Sequence, residues 1–208
     1  MTQLLAAITL ASCLLGTSVA LSDDVVAVPP LAGRIVDTAH VLSATDVVSL
    51  TKLLADYEHE THHQIAVLTI PTLGGEKIEA FSLRVAEVWR LGFAGWDNGI
   101  LVTLAMQEHR IRIELGTGME RYISDPIAKS IIVETMTPAF HTGDFAGGLR
   151  AGLMRLMDEA RKYRIRDPSL RGAPTQTLRL RDWTPALAMV DGHRGFDRCS
   201  GESSYPQM

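Results

Sequence analysis

Trp96 to Asp125 reads WDNGILVTLAMQEHRIRIELGTGMERYISD. The turn-prone Asp97-Asn98-Gly99 leads into an unbroken apolar run, Ile100 to Leu104, the pattern of a strand buried on both faces. After a polar break, Ala105 to His109, the residues alternate. Ile111, Ile113 and Leu115 interleave with Arg110, Arg112 and Glu114, as in a strand with one polar face. Two such runs across a five-residue break predict a hairpin. With Leu104 opposite Arg110, Gly99 falls opposite Leu115. That register brings Asp97 and Asn98 to the sheet edge that also carries Gly116, Gly118 and Glu120.

Length and charge restrict the alternatives. The chain has 208 residues, 46% hydrophobic and 21% charged, which fits one globular domain with a tail. Up to residue 160 there are 11 Lys and Arg against 19 Asp and Glu; from Arg161 onward there are 9 against 5. An acidic body excludes nucleic acid as the main partner, because phosphate binding requires a cationic face. The basic tail suits either solvent or an anionic membrane surface.

Residues 1–20 hold an uncharged apolar stretch ending in Ser18-Val19-Ala20, the pattern of an export signal cleaved after Ala20. Leu10-Ala11-Ser12-Cys13 also resembles a lipoprotein box, with Cys13 as the lipid-bearing residue. Both readings place the mature chain outside the cytoplasm, in the periplasm or at a membrane. Cleavage at Ala20 leaves Cys199 as the single cysteine, so no internal disulfide forms. No later run is long enough for a membrane span.

Residues 21–33, with Pro29-Pro30, read as an extended lead-in. Ser43 and Asp46 have capping-box spacing, and Val47, Leu50, Leu54 and Tyr57 then recur on one helical face until about Glu60. Gln64 to Ile70 is a strand. Ile78, Phe81, Val85 and Val88 mark a second helix, to about Leu91, so the segment predicts a right-handed β-α-β crossover with parallel strands. Asp125-Pro126 predicts an N-cap and the start of a third helix, ending near Pro138; Gly143-Asp144 opens a fourth. The expected architecture is one α/β domain over residues 34–163, a small mixed sheet sandwiched by helices. Residues 164–208 are an irregular, basic tail with a disordered-type composition.

Asp97, Asn98, Glu120 and Asp125 offer hard oxygen atoms of the kind Ca²⁺ or Mg²⁺ takes, although Asp125 as an N-cap has its carboxylate engaged by backbone N–H groups. Gly116-Thr117-Gly118 reads as a tight turn needing positive φ; no Lys or directly following helix makes it a phosphate loop. Arg112 and Glu114 read as a surface pair of little energetic weight. His59-Glu60-Thr61-His62-His63 matches the zinc-peptidase pattern, which needs both His on one face of a continuing helix. Here the helical periodicity stops at the motif. No Ser-His-Asp or Cys-His set is present to supply a nucleophile, and the catalytic residues are undetermined.

Several of these segments together resemble the TPM domain family, named in part for a thylakoid lumen protein. They are Ile35-Val36-Asp37 with Leu42-Ser43, Gln64-Ile65-Ala66-Val67, Trp89 to Gly92, Asp97-Asn98-Gly99 and Arg110 to Glu114. Gly116-x-Gly118-x-Glu120, Asp125 and Pro138-x-Phe140 to Gly143-Asp144-Phe145 continue the likeness across residues 34–160. The resemblance implies an exported α/β/α sandwich. It also implies calcium binding, assembly or maintenance of a membrane protein complex, or a weak acid phosphatase activity. Carried over by position, the acidic and amide residues at stake are Asp37, Asp97, Asn98, Glu120 and Asp125. Thr117 stands where the family commonly has an aromatic residue, and the tail lacks the family's frequent membrane helix or Gly-rich end.

Overall fold

The computed structural model describes residues 25–164 other than Arg121. The export signal, Cys13, Cys199 and the tail from residue 165 lie outside the described residues. Four strands form one sheet: β1 (Ile35–Asp37), β2 (Gln64–Ile70), β3 (Gly99–Ala105) and β4 (Arg110–Leu115), in that spatial order. β1, β2 and β3 are parallel, and β4 returns antiparallel to β3. The expected mixed sheet with helices on both faces is what the chain forms.

Period-two alternation decides which residue enters which layer. Ile65 and Val67 of β2, Ile100, Val102 and Leu104 of β3, and Ile111, Ile113 and Leu115 of β4 share one face. There they meet Leu50, Leu54 and Tyr57 of α1 (Ala44–Thr61) and Leu149, Leu153 and Leu156 of α6 (Phe145–Arg164). Ala66, Leu68 and Ile70 with Leu101 and Ala105 face the other way, against Ile78, Phe81, Val85 and Trp89 of α2 (Ile78–Trp89). Val88 is exposed, so the inward stripe of α2 runs through Trp89 instead. The strands advance across the sheet in one direction while α1 and α2 lie on opposite faces. The two crossovers therefore have opposite hands, and one of them departs from the right-handed preference.

The hairpin is tighter than expected by one residue. Leu104 pairs with Ile111, and Ile100 with Leu115, across a four-residue connection, 106–109. The reason is facial: a one-residue slip would set Leu104 against the polar side of β4, whereas this register aligns the two apolar series. His109 takes a left-handed φ of 51° to close the turn.

Helix α1 opens on the expected capping box. The Asp46 N–H donates to Ser43 Oγ at 3.1 Å, and the Asp46 carboxylate accepts the Ser43 N–H at 3.3 Å. The third helical region differs from expectation at both ends. Ser124, not Asp125, is the N-cap residue; Asp125 lies in the first turn of α4 (Asp125–Ser130), ahead of Pro126. The helical path then runs through a π-helical stretch, Ile131–Met136, into α5 (Thr137–His141). Pro138 does not end it; it lies in the first turn of α5, directly after the π-helical stretch. A short helical turn, α3 (Thr117–Glu120), links β4 to this region. The lead-in packs on α2, where Trp89 Nε1 donates to the Pro29 carbonyl at 2.8 Å and Arg84 Nη2 to the Val26 carbonyl at 2.8 Å.

Candidate functional site

Where the chain leaves α2 it folds back on itself. Arg90 adopts a left-handed C-cap conformation, and Gly92 follows with φ 101°. The Phe93 carbonyl then accepts the N–H groups of Trp96 and Asp97, at 2.9 and 3.1 Å. Asp97 itself has φ 46°, a conformation in which Asp is tolerated better than most side chains. From there two main-chain bonds clasp the loop to the far end of the hairpin: Gly116 N–H to the Gly99 carbonyl at 2.8 Å, and Gly118 N–H to the Asp97 carbonyl at 3.0 Å.

The glycines of this clasp are required for space. A Cβ on Gly118 would overlap the Trp96 carbonyl oxygen, and one on Gly116 would overlap that of Asp97. A Cβ on Gly99 would lie 2.5 Å from the Leu91 carbonyl oxygen, and one on Gly92 2.7 Å from Gly99 N. Neither Gly116 nor Gly118 has a positive φ. The expected tight turn is thus a backbone-on-backbone contact, and a short helical turn does follow it directly.

The predicted residues separate into three groups. Asp97 is half-buried, and its Oδ2 accepts from Thr117 Oγ1 at 3.3 Å. Glu120 on α3 and Asp125 on α4 lie near enough to Glu114 to disfavour its charge. Asn98 reaches the same edge but is buried and engaged: its Oδ1 accepts the Phe93 N–H at 2.9 Å, and its Nδ2 donates to the His62 carbonyl at 2.6 Å. Both ends of the Asn98 amide thus brace the frame of the loop. Asp37 lies at the opposite end of the sheet, beside Thr69, whereas Gly99 pairs with Gln64. Five residues of β2 separate the two ends, about 16 Å at the usual rise. There the Asp37 carboxylate accepts from Val41 N–H at 3.2 Å, Leu42 N–H at 2.9 Å and the Thr69 hydroxyl, closing the loop into α1. It belongs to no shared site with Asp97.

The surface pair expected of Arg112 and Glu114 is instead a buried one, because α2 covers that side of β4. Their side chains bond at 2.7 Å, from Arg112 Nε to Glu114 Oε2. Burial pushes the Glu114 carboxyl above its ordinary value, the Arg112 charge and hydrogen bond pull it down, and Asp125 and Glu120 push it up; the net shift is upward. Among the described residues, no three His, Cys, Asp or Glu side chains form a metal-holding cluster.

The comparisons with known proteins agree on what carries this geometry. A family model described as the TPM domain, under the name TPM_phosphatase, matches residues 35–159. The chain belongs to the TPM domain family. The N-terminal domain of a Porphyromonas gingivalis protein (P.gingivalis) is similar in structure, with a TM-score of 0.58 and 29% identity over 62% of this chain and 83% of that one. The BA42 protein of the psychrophilic bacterium Bizionia argentinensis shares the fold, with a TM-score of 0.53 and 20% identity over 59% and 83%. So does the N-terminal domain of a Corynebacterium glutamicum protein, at 0.50 and 18% over 65% and 86%. No curated protein matches.

In this TPM domain the HETHH stretch cannot form a peptidase site. Helix α1 ends at Thr61, and His62 is its left-handed C-cap, with φ 62°. His59 is exposed on the last turn, whereas His63 is buried with its Nδ1 2.9 Å from the Tyr57 hydroxyl. The two rings therefore do not share one face of a continuing helix, as zinc would require.

Two outcomes are expected of the TPM domain. Gly118→Ala lowers stability by about 2–3 kcal/mol in urea unfolding, from overpacking against Trp96; an unchanged midpoint contradicts the clasp. The Glu114 carboxyl, followed by carbon NMR, titrates above the ordinary value of 4.5. Because the folded-state value is the raised one, its contribution to stability is full below the unfolded value and is lost as pH rises through the folded one. A midpoint below 4.5 contradicts the burial account.

Proposed function

We propose that this TPM domain is an exported, divalent-cation-binding interaction or assembly module that works near a membrane, with Ca²⁺ as the cation. The observation that carries the reading is the state of Asp97. A strained backbone conformation and the glycine clasp fix its position, yet its carboxylate accepts one long bond, from Thr117. The upward push of Asp125 and Glu120 on Glu114 supports a negative potential at the same edge. Asp97 is the proposed ligand side chain, and Glu120 and Asp125 supply negative charge around it. Ca²⁺ takes six to eight oxygens, more than the Asp97 carboxylate supplies. A cation there keeps coordination sites open for a partner protein or a membrane surface, which suits a module that acts by docking. The leader pattern of residues 1–20 supports export, and the lipoprotein reading of Cys13 is the second route to a membrane.

Calorimetric titration of the full chain with Ca²⁺ tests the reading. Heat that saturates in the wild type and disappears in Asp97→Ala is expected; no heat in the wild type contradicts it.

A second reading is metal-assisted hydrolysis of a phosphomonoester at the same edge, favoured by the phosphatase in the family model's name. A bound cation would polarise the phosphoryl group and activate water, so no nucleophilic side chain is needed. Turnover of a chromogenic phosphate, abolished by chelator and by Asp97→Asn, is the expected result. Turnover indifferent to both would end this second reading.

A further inference from the structure

We propose that Gln64 is a positioning residue for the Asp97 loop, and that the charge of Glu58 dictates which way its amide faces. The proposal deepens the cation reading and rests on it for its affinity arm alone. Gln64 opens β2 and is 4% exposed; its side chain spans two elements. Its Nε2 donates to Glu58 Oε1 at 3.3 Å, and its Oε1 accepts the Gly92 N–H at 2.8 Å.

A side-chain amide has a donor end and an acceptor end that fill nearly the same space. Glu58 selects between the two orientations. It is buried on α1 and paired with Arg34, whose Nε and Nη2 lie 2.9 and 2.8 Å from Glu58 Oε2. An ionised carboxylate accepts and cannot donate, so the donor end of Gln64 must face Glu58. The acceptor end is thereby turned to Gly92. Asn98 takes the next main-chain N–H, that of Phe93, by the same device, with its donor end held by the His62 carbonyl. Two successive N–H groups leaving α2 are thus captured by two amides of fixed orientation. The loop they capture ends in Trp96 and Asp97, the residues against which Gly118 is packed. A charge set in the Arg34–Glu58 pair, on the far side of β2's first residue, reaches the Asp97 carboxylate through this relay.

A charge swap in the full chain tests the relay. Gln64→Glu puts two carboxylates face to face and removes the donor. Amide exchange at Gly92, Phe93 and Gly118 is expected to quicken at least tenfold while the β2–β3 ladder amides of Val67 and Val102 keep their rates. Ca²⁺ affinity falls about tenfold, the value of one good hydrogen bond. Adding Glu58→Gln restores the relay with its charge moved to the other partner. The amide introduced at position 58 then donates to the carboxylate introduced at position 64, which still accepts the Gly92 N–H. The double variant returns to wild-type exchange. If Gln64→Glu fails to fold, Gln64→Met carries the same expectation for the loop amides. Loop exchange unchanged in the single variant, or quickening equally across the ladder, overturns the proposal, as does a double variant no slower in loop exchange than the single. If the wild type takes no Ca²⁺, the cation reading falls, and the exchange rates still decide the positioning role.

Discussion

Two stretches of main chain lie in direct contact with no room for a side chain between them. At this contact Gly116 and Gly118 meet the carbonyls of Asp97 and Trp96, and Gly99 meets Leu91. Such an approach is open only to glycine, and it converts a flexible loop after α2 into part of the sheet edge. The hairpin delivers one half of the contact because the apolar series of β3 and β4 align in a single register. The crossover through α2 delivers the other half. Asp97 is the product of both, and its geometry depends on core packing several residues away.

The two ends of the sheet have been put to different uses. At the carboxyl ends of the parallel strands, Asp37 spends its carboxylate on the backbone of the β1–α1 connection and on Thr69. A carboxylate with that many donors holds a loop in place. At the amino ends of β2 and β3, Asn98 and Gln64 hold the frame, and Asp97 is left with weak engagement. Open α/β sheets usually bind ligands at the carboxyl ends of their strands, so this domain places its candidate site against the common pattern.

Much of this is legible in the chain itself. Hydrophobic period locates β2, β3, β4 and the long helices but not the three-residue β1, too short to show a period, and the hairpin reading brings Asp97 beside Gly118. What it misses has physical causes. The register slips by one because Ala105 reads as loop yet lies in β3. Arg112 and Glu114 look solvated because alternation cannot report that α2 lies over the polar face. The bracing bonds of Asn98 are not legible because an amide that ligates and an amide that braces have the same letter. The spacing of Gly116 and Gly118 is a usable signal, but its meaning, space and not φ, requires the partner backbone. Gln64 and Glu58 carry no local pattern, since their bond joins the end of a helix to the start of a strand.

Paramagnetic broadening of backbone amides by Mn²⁺, an oxygen-seeking stand-in for Ca²⁺, would show which end of the sheet takes the cation. Substoichiometric Mn²⁺ is expected to erase the amide signals of Asp97 and of Thr117 to Glu120 first, before those of Asp37 and Thr69 at the other end of the sheet, about 16 Å along β2. Broadening that begins at Asp37, or that spreads evenly over the surface, would contradict the cation reading.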